Sequence, residues 1–279
     1  MSRGLALTKR RMKSVDSTRK ITNAMKLVAT AKLKKWKSLM SNSSLYSDTL
    51  VALMKEVFSK VDSIKSPYLK ENESENKLFI VVTSTLGLCG GYNYNLFKLA
   101  DPLISENDDI IIIGAKGMYH FKGHETHLNL DYLDLGNYLE EKLIRDLSEK
   151  ILKDYADGKY KEINLIYTRY VNSLTFTAEK LALLPLKLES KNDKGNFDII
   201  MEPSKEALAE SLIPFYIKSI LFNKLLESIV SEQASRRTAM ENATNNATEI
   251  FDELQIEYNK ERQAQITQEI TEVVGGANK

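Results

Sequence analysis

The chain has 279 residues, of which 43% are hydrophobic and 28% are charged, a composition typical of a folded protein of one or two domains. Its single cysteine excludes an intrachain disulfide and is typical of a reducing compartment. No signal-peptide segment follows the basic amino terminus, and no apolar run reaches the roughly 18 residues of a membrane-spanning helix. We therefore expect any membrane association to run through partners.

Charge is unevenly distributed along the chain, although the formal net charge is only +1. Residues 1–40 carry twelve Lys or Arg and one acid, Asp16, whereas residues 231–279 carry nine acids and five bases. This asymmetry predicts that the amino-terminal segment meets an acidic partner, within the chain or outside it.

The amino-terminal segment contains neither proline nor glycine from Leu5 to Ser66, which predicts one long helix. Mostly apolar or small residues recur there at alternating steps of four and three, the pattern of a coiled-coil seam. The predicted seam positions are Val15, Thr18, Thr22, Met25, Ala29, Lys32, Trp36 and Leu39.

Strand and helix patterns alternate in the middle of the chain. Strands are predicted at 78–83, 110–113, 163–167 and 174–184, and an edge strand at 197–201 follows a turn at 192–195. Helices are predicted from about Tyr94 and over 139–155. This alternation favours a mostly parallel open sheet with flanking helices, a Rossmann-like α/β domain.

A glycine-rich turn, Gly87-Leu88-Cys89-Gly90-Gly91, lies between a predicted strand and a predicted helix. Phosphate-binding loops occupy such places, but this turn fits neither phosphate-loop template, and tight turning explains the glycines equally well. Cys89 could be a nucleophile, yet no histidine is near it in sequence, so we interpret it as a packed small residue.

The three histidines, His120, His124 and His127, are spaced so that one helical face could carry them. Zinc binding is one interpretation of this spacing. Gly123 interrupts the segment and no further ligand stands nearby, so a solvated loop is the preferred interpretation.

The carboxyl-terminal run from Phe215 to Val274 again lacks proline and glycine, and Ser204 is a plausible helix cap. As one helix the run would be about 90 Å long. Its predicted seam positions are Leu226, Val230, Gln233, Arg237, Met240, Thr244, Ala247, Phe251, Leu254 and Tyr258.

Because this seam is weak, it better suits two helices of one chain wound together and enclosed by a partner than a tight homodimer. A plain helical hairpin with solvated faces is the alternative. We predict helical segments at residues 1–66 and 204–279, with the α/β domain at 77–201 inserted between them. An apolar stripe at the carboxyl end predicts a partner surface, and a frayed or folded-back tail is the alternative.

Three segments resemble the gamma subunits of F-type ATP synthases: MKSVDSTRKITNAMKLVATAKLK at 12–34, GLCGGYN at 87–93, and matching stretches at 239–244, 258–263 and 266–270. They occur in the family's order across nearly the whole chain. The resemblance implies an antiparallel coiled coil inside a hexamer of alpha and beta subunits, with the α/β domain as a foot that contacts the epsilon subunit and the c-subunit ring.

The same resemblance implies a rotor subunit without catalytic, cofactor or metal sites of its own, on the cytoplasmic face of the cell membrane. ATP would be made or split on the beta subunits. Met25 matches a position that faces a beta-subunit loop, and packing within the seam is its alternative. The other matched positions are polar ones that catch beta-subunit loops (Arg262, Gln263, Thr267) and an apolar tip (Ile266, Ile270, Val273, Val274).

One departure from the family pattern is the pair Thr85-Leu86, where an acid followed by Arg or Lys is usual. It leaves open the shaft of a specialised rotary ATPase that is not attached to an ordinary proton ring. A nucleotide-binding α/β enzyme and a basic coiled-coil nucleic-acid binder are hypotheses from other classes. Tight nucleotide binding by the isolated chain, or salt-sensitive nucleic-acid binding, would distinguish them from a rotor.

Overall fold

The structure, a computed structural model, describes residues 2–59, 66–123, 127–136, 138–173, 175–187 and 204–277. The chain divides into two compact units. We call Met1–Ala31 with Arg236–Lys279 the helix-pair unit, and Lys32–Ser235 the sheet unit. The predicted turn at 192–195 and edge strand at 197–201 lie outside the described residues, and the domain boundaries 1–66, 77–201 and 204–279 stay a prediction.

Ten helices and strands follow in chain order over the described residues. They are α1 (Ser2–Ser59), β1 (Lys77–Val82), α2 (Tyr92–Ala100), β2 (Asp109–Ile113), α3 (Ala115–His120), β3 (Leu128–Asn129), α4 (Glu141–Ala156), β4 (Glu162–Tyr170), β5 (Phe176–Leu184) and α5 (Lys205–Ala277). Short 3-10 turns lie between some of them, one of which is Leu133–Gly136.

The sheet has the order β3-β2-β1-β4-β5. All neighbouring pairs are parallel except β4 and β5, which are antiparallel. Central β1 pairs Val81 with Ile112 of β2 on one side and with Ile166 of β4 on the other. The prediction of a mostly parallel α/β sheet is thus confirmed, and the two-residue strand β3 is an element that the sequence pattern missed.

Both faces of the sheet are covered, which explains why its central strands are continuous apolar runs. Successive residues of β1 enter opposite cores, Ile80 with α4 residues such as Ile151, and Phe79 with α2 residues such as Leu96. The first core also takes Ile217 of α5. The sheet therefore holds part of α5 as well as its own helices.

Helix α5 begins at the predicted cap, because Ser204 Oγ accepts a hydrogen bond from the amide of Ala207 at 3.1 Å. It then runs through Pro214, whereas the apolar pattern placed the uninterrupted run after this residue. Pro214 is exposed, so the carbonyl that loses its intrahelical partner can bond to water instead. The helix also includes Gly275 and Gly276.

Candidate partner-contacting surface and glycine-rich turn

Two helices run antiparallel within the helix-pair unit. The Thr244 hydroxyl lies 2.9 Å from the Thr22 hydroxyl, and the Arg19 guanidinium lies 4.9 Å from the centroid of the Phe251 ring. Gly4 faces Glu261, whose carboxylate lies 3.4 Å from the place of a glycine Cβ. Residues nearer the start of α1 contact residues nearer the end of α5. This order confirms the predicted antiparallel coiled coil in this unit.

The α5 seam lies where the sequence predicted it. Met240, Ala247 and Leu254 are buried, and the other seam positions of this unit, Arg237, Thr244, Phe251 and Tyr258, are half-buried. Small and polar residues fill much of this contact, so the seam buries little apolar surface and contributes correspondingly little stability.

The α1 seam is partly corrected by the structure. Ala29 is buried as predicted, but Thr18 is exposed and Arg19 is half-buried beside Phe251. In the sheet unit, Lys32 and Leu39 are exposed, and their neighbours Leu33 and Met40 pack inward. After Ala29 the next buried residue of α1 is Leu33, four positions on, and not the predicted Lys32 three positions on. The apolar Leu33 joins a cluster with Val230 and Ala234 of α5.

The apolar residues predicted for the carboxyl-terminal tip are uncovered. Their exposed fractions run from 48% for Ile266 to 72% for Val273, with Ile270 and Val274 between these values. Four aliphatic side chains this exposed on the end of one helix form an apolar surface suited to burial against another protein.

The predicted polar contact residues lie beside this tip. Arg262, Gln263 and Thr267 are all exposed on α5. The Thr267 hydroxyl donates to the Gln263 carbonyl at 2.9 Å, a bond within the helix that leaves the Gln263 side chain open to solvent or a partner. Met25 of α1 is half-buried, which is compatible with both its predicted roles, packing in the seam and contact with a partner.

The glycine-rich turn connects β1 to α2 in the sheet unit. Gly90 has φ +58°, a conformation that glycine adopts without steric cost, and Gly91 stands at the amino-terminal cap of α2. Leu88 also has a positive φ, +61°, which is uncommon for a branched side chain. Turn geometry thus accounts for Gly90, while Gly87 is half-buried beside the side chain of Lys116.

Cys89 is a packed residue of this turn. Its side chain is 2% exposed, and its sulfur lies 3.4 Å from the amide nitrogen of the Asn93 side chain. Asn93 also accepts a hydrogen bond from the Ser84 amide at 3.0 Å. A thiol enclosed in this way is not placed to attack a substrate, which agrees with the packing interpretation.

The unusual pair Thr85-Leu86 lies at the start of the same turn. Leu86 and Leu88 are 66% and 64% exposed, so the tip of the turn presents two leucines to its surroundings. Where the resemblance predicts an acid followed by Arg or Lys, this chain thus presents an exposed apolar side chain, Leu86.

The histidine segment divides between two environments. His120 stacks on Phe97 with ring centroids 3.8 Å apart, and its Nε2 lies 2.8 Å from Asp101 Oδ1. His127 is solvent-exposed with its Nδ1 3.4 Å from Asp109 Oδ1, and His124 lies outside the described residues. No group of three potential ligands that could hold a metal ion occurs among the residues described.

Sequence reasoning missed a set of polar contacts between α5 and the sheet. Ser228, Ser231 and Ser235 are buried and bond to backbone atoms of β4 and of the glycine-rich turn. Their spacing of three and four residues on one helical face was a signal, but serines on a charged helix are usually solvated.

The helices within the described ranges include none with a stretch long and apolar enough to cross a bilayer.

Comparison with known proteins decides the family. The family model described as ATP synthase matches residues 4–279. The ATP synthase gamma chain of Clostridium kluyveri is 38% identical over 277 residues, which cover 98% of this chain and 97% of the relative. The chain belongs to the ATP synthase gamma chain family.

Other comparisons extend this result. The sodium-ion-specific ATP synthase gamma chain of Acetobacterium woodii is 34% identical, with 96% of each chain covered. A chain of the mitochondrial ATP synthase of Euglena gracilis, solved by cryo-electron microscopy, has the same fold. It aligns with a TM-score of 0.68 at 20% identity, over all of this chain and 95% of that one.

Proposed function

We propose that this gamma-family chain is the central-stalk rotor subunit of an F-type ATP synthase. It transmits torque between the ion-translocating membrane ring and the catalytic hexamer of alpha and beta subunits. The observation that carries this proposal is the exposure of the helix-pair unit. Its seam is largely polar and its apolar end is exposed, so an enclosing partner can bury this surface.

The assignment of partners follows the two kinds of surface. Beta-subunit loops contact four residues, Met25, Arg262, Gln263 and Thr267. The apolar tip residues rotate within an apolar ring formed by the hexamer. The sheet unit contacts the epsilon subunit and the c-subunit ring, and it reaches the cytoplasmic face of the cell membrane only through that ring. Catalysis belongs to the beta subunits, and this subunit biases their sites by contacting each one differently as it turns.

A specialised rotary ATPase without an ordinary ring is the second candidate, and the exposed Leu86 beside Thr85 is the observation in its favour. It is not the preferred function, since two relatives named ATP synthase gamma chain match at 38% and 39% identity over nearly the whole length.

The first test is native purification of the tagged chain, with mass spectrometry of the proteins that accompany it. Alpha, beta and c subunits are the expected companions. Alpha- and beta-like subunits without a ring would favour the specialised motor and direct attention to Thr85-Leu86. Recovery without any ATPase subunit would overturn the rotor proposal.

A second test uses the exposed end of α5. Deletion of residues 263–279 is expected to lower torque or assembly and to leave the α/β domain folded, because the described core residues of the sheet unit include none of them. A matched pair of point variants, Ile270→Asn and Glu269→Gln, compares an apolar position with its exposed neighbour. Equal ATP synthesis by the two would contradict the role of the tip, as would unfolding of the sheet unit on truncation.

A further inference from the structure

The carboxyl-terminal end of β4 is the starting point. Strand β4 continues to Tyr170, whereas its partner β1 ends at Val82 and their pairing ends at Ile166. The end of β4 therefore extends past β1, and among the described residues no strand lies beside its backbone groups on that side. Buried backbone groups require partners, so something else must supply them.

Helix α5 supplies those partners from its side chains. The Ser228 hydroxyl accepts from the Thr168 amide at 3.1 Å, and the Ser231 hydroxyl donates to the Thr168 carbonyl at 3.3 Å. A carboxylate oxygen of Glu227 accepts from the Tyr170 amide at 3.1 Å. One helix thus replaces the missing strand with three hydrogen bonds.

A fourth bond attaches the same helix to the glycine-rich turn. The Ser235 hydroxyl donates to the Cys89 carbonyl at 2.6 Å, and Ser235 is buried. From Glu227 to Ser235 the helix rises about 12 Å, so the two attachments lie well apart along its axis. Two separated attachments resist both tilting and sliding of the helix.

These bonds differ in kind from the apolar part of the contact. Apolar packing between Leu225 or Ile217 and the core is non-directional, and it permits small rotations of a helix at little cost. Hydrogen bonds are directional, and those made by Ser228 and Ser231 are fully enclosed, where the low dielectric strengthens them. Rotation of α5 about its own axis would break them before it disturbed the apolar core.

We propose that Ser228, Ser231 and Ser235 are positioning residues that fix the rotation of this part of α5 against the sheet. Torque passes between the sheet and α5 through their directional hydrogen bonds to β4 and to the glycine-rich turn. This inference rests on the proposed rotor function, and it names the residues at which the sheet unit holds its helix.

The test compares the triple variant Ser228→Ala/Ser231→Ala/Ser235→Ala with a matched control, Ser219→Ala. Ser219 is also a buried serine of α5, but its hydroxyl has no hydrogen-bond partner among the described residues. Hydrogen exchange of the Thr168 and Tyr170 amides is measured in the full chain. In the triple variant the Thr168 amide should exchange about tenfold faster, the factor expected for the loss of one buried hydrogen bond.

The second readout is mechanical. A bead attached to the sheet unit of the assembled alpha-beta-gamma complex reports angular fluctuation during ATP-driven rotation. The triple variant should widen the angular variance roughly twofold or more, since three of the four bonds from α5 to β4 and the glycine-rich turn are lost. The Ser219→Ala complex should match wild type in both readouts.

Unchanged angular variance in the triple variant would overturn the inference, even with faster exchange, because the bonds would then hold the strand without carrying torque. A wild-type complex that fails to rotate with ATP would instead count against the proposed function. If the triple variant does not fold, the single variant Ser235→Ala replaces it. Its angular variance is measured in the same way, and its hydrogen exchange is measured at the amides of the glycine-rich turn.

Discussion

The sheet unit and the helix-pair unit are stabilised in different ways. The sheet unit encloses two apolar cores, one on each face of its sheet, whose strand residues are almost fully buried. The helix-pair unit buries only scattered seam residues such as Ala29, Met240 and Leu254. The first holds its shape by its own packing, whereas the second leaves much of its surface uncovered, as the proposed enclosing partner requires. Four predictions test this difference, from the largest expected effect to the smallest.

Alkaline pH should unfold the sheet unit. Burial raises the pKa of Tyr155 to about 12, and burial likewise raises the pKa of Tyr92 and Tyr160. A raised folded-state pKa gives stability that is complete below the unfolded pKa of about 10 and is lost as pH rises through the folded value. Stability should therefore decline between about pH 10 and pH 12.

Tyrosinate absorbance and circular dichroism, followed together over this pH range, measure the transition. Ionisation of Tyr92, Tyr155 and Tyr160 is expected to accompany unfolding. Ionisation of these three buried tyrosines at about pH 10 in a chain that stays folded would show that their burial does not contribute to stability.

Removing core volume should separate the two units. Ile80→Ala in β1 deletes a fully buried side chain and should lower the free energy of unfolding by about 3–5 kcal/mol. Ile270→Ala on the exposed tip should change it by less than about 0.5 kcal/mol. Denaturant titration of each purified variant measures both values. Similar losses at the two sites would mean that the tip packs on its own chain.

Two glycines provide a backbone comparison. Gly114 in the sheet unit has φ +89°, and a Cβ there would collide with the Thr83 carbonyl oxygen, so Gly114→Ala should cost about 2–3 kcal/mol. Gly275 in α5 has open space around it, so Gly275→Ala should be neutral or stabilise the helix by up to about 1 kcal/mol. Thermal unfolding of the two variants provides the measurement, and a destabilised Gly275→Ala would contradict the open surroundings of the tip.

The smallest effect is expected in the polar seam. Thr22→Val or Thr244→Val removes one side of the hydroxyl contact between the helices and should cost about 1 kcal/mol, while the double variant should cost less than the sum. A double-mutant cycle on the complete chain gives the coupling between the two residues. Additive losses would show that this contact does not link the helices.

Sequence reasoning captured the features that depend on local pattern. Long runs without proline or glycine gave the helices, and continuous apolar runs gave the central strands. It missed β3, because Leu128 and Asn129 are too few to produce a pattern and pair only through β2. It placed Lys32 and Leu39 in the seam, whereas the residues that pack there are the next ones along the chain, Leu33 and Met40. This shift by one residue depends on the facing helix α5, which contributes Val230 and Ala234 to the cluster.

The candidate site was less accessible to the sequence. The exposed tip could be predicted from four aliphatic residues at helical spacing, and its exposure is observed. The serines of α5 could not, since their role depends on how far β4 extends past β1, which is a property of the folded sheet. Which partner residues the tip and the polar positions contact stays a prediction.

The enclosed thiol of Cys89 has a practical consequence for labelling. It is the chain's one cysteine, and its burial keeps thiol reagents away from the folded protein. A cysteine introduced at any exposed position would then react selectively, without prior removal of the native one. Fluorophores, beads or crosslinkers can thus be attached site by site to the natural sequence, with the glycine-rich turn left intact.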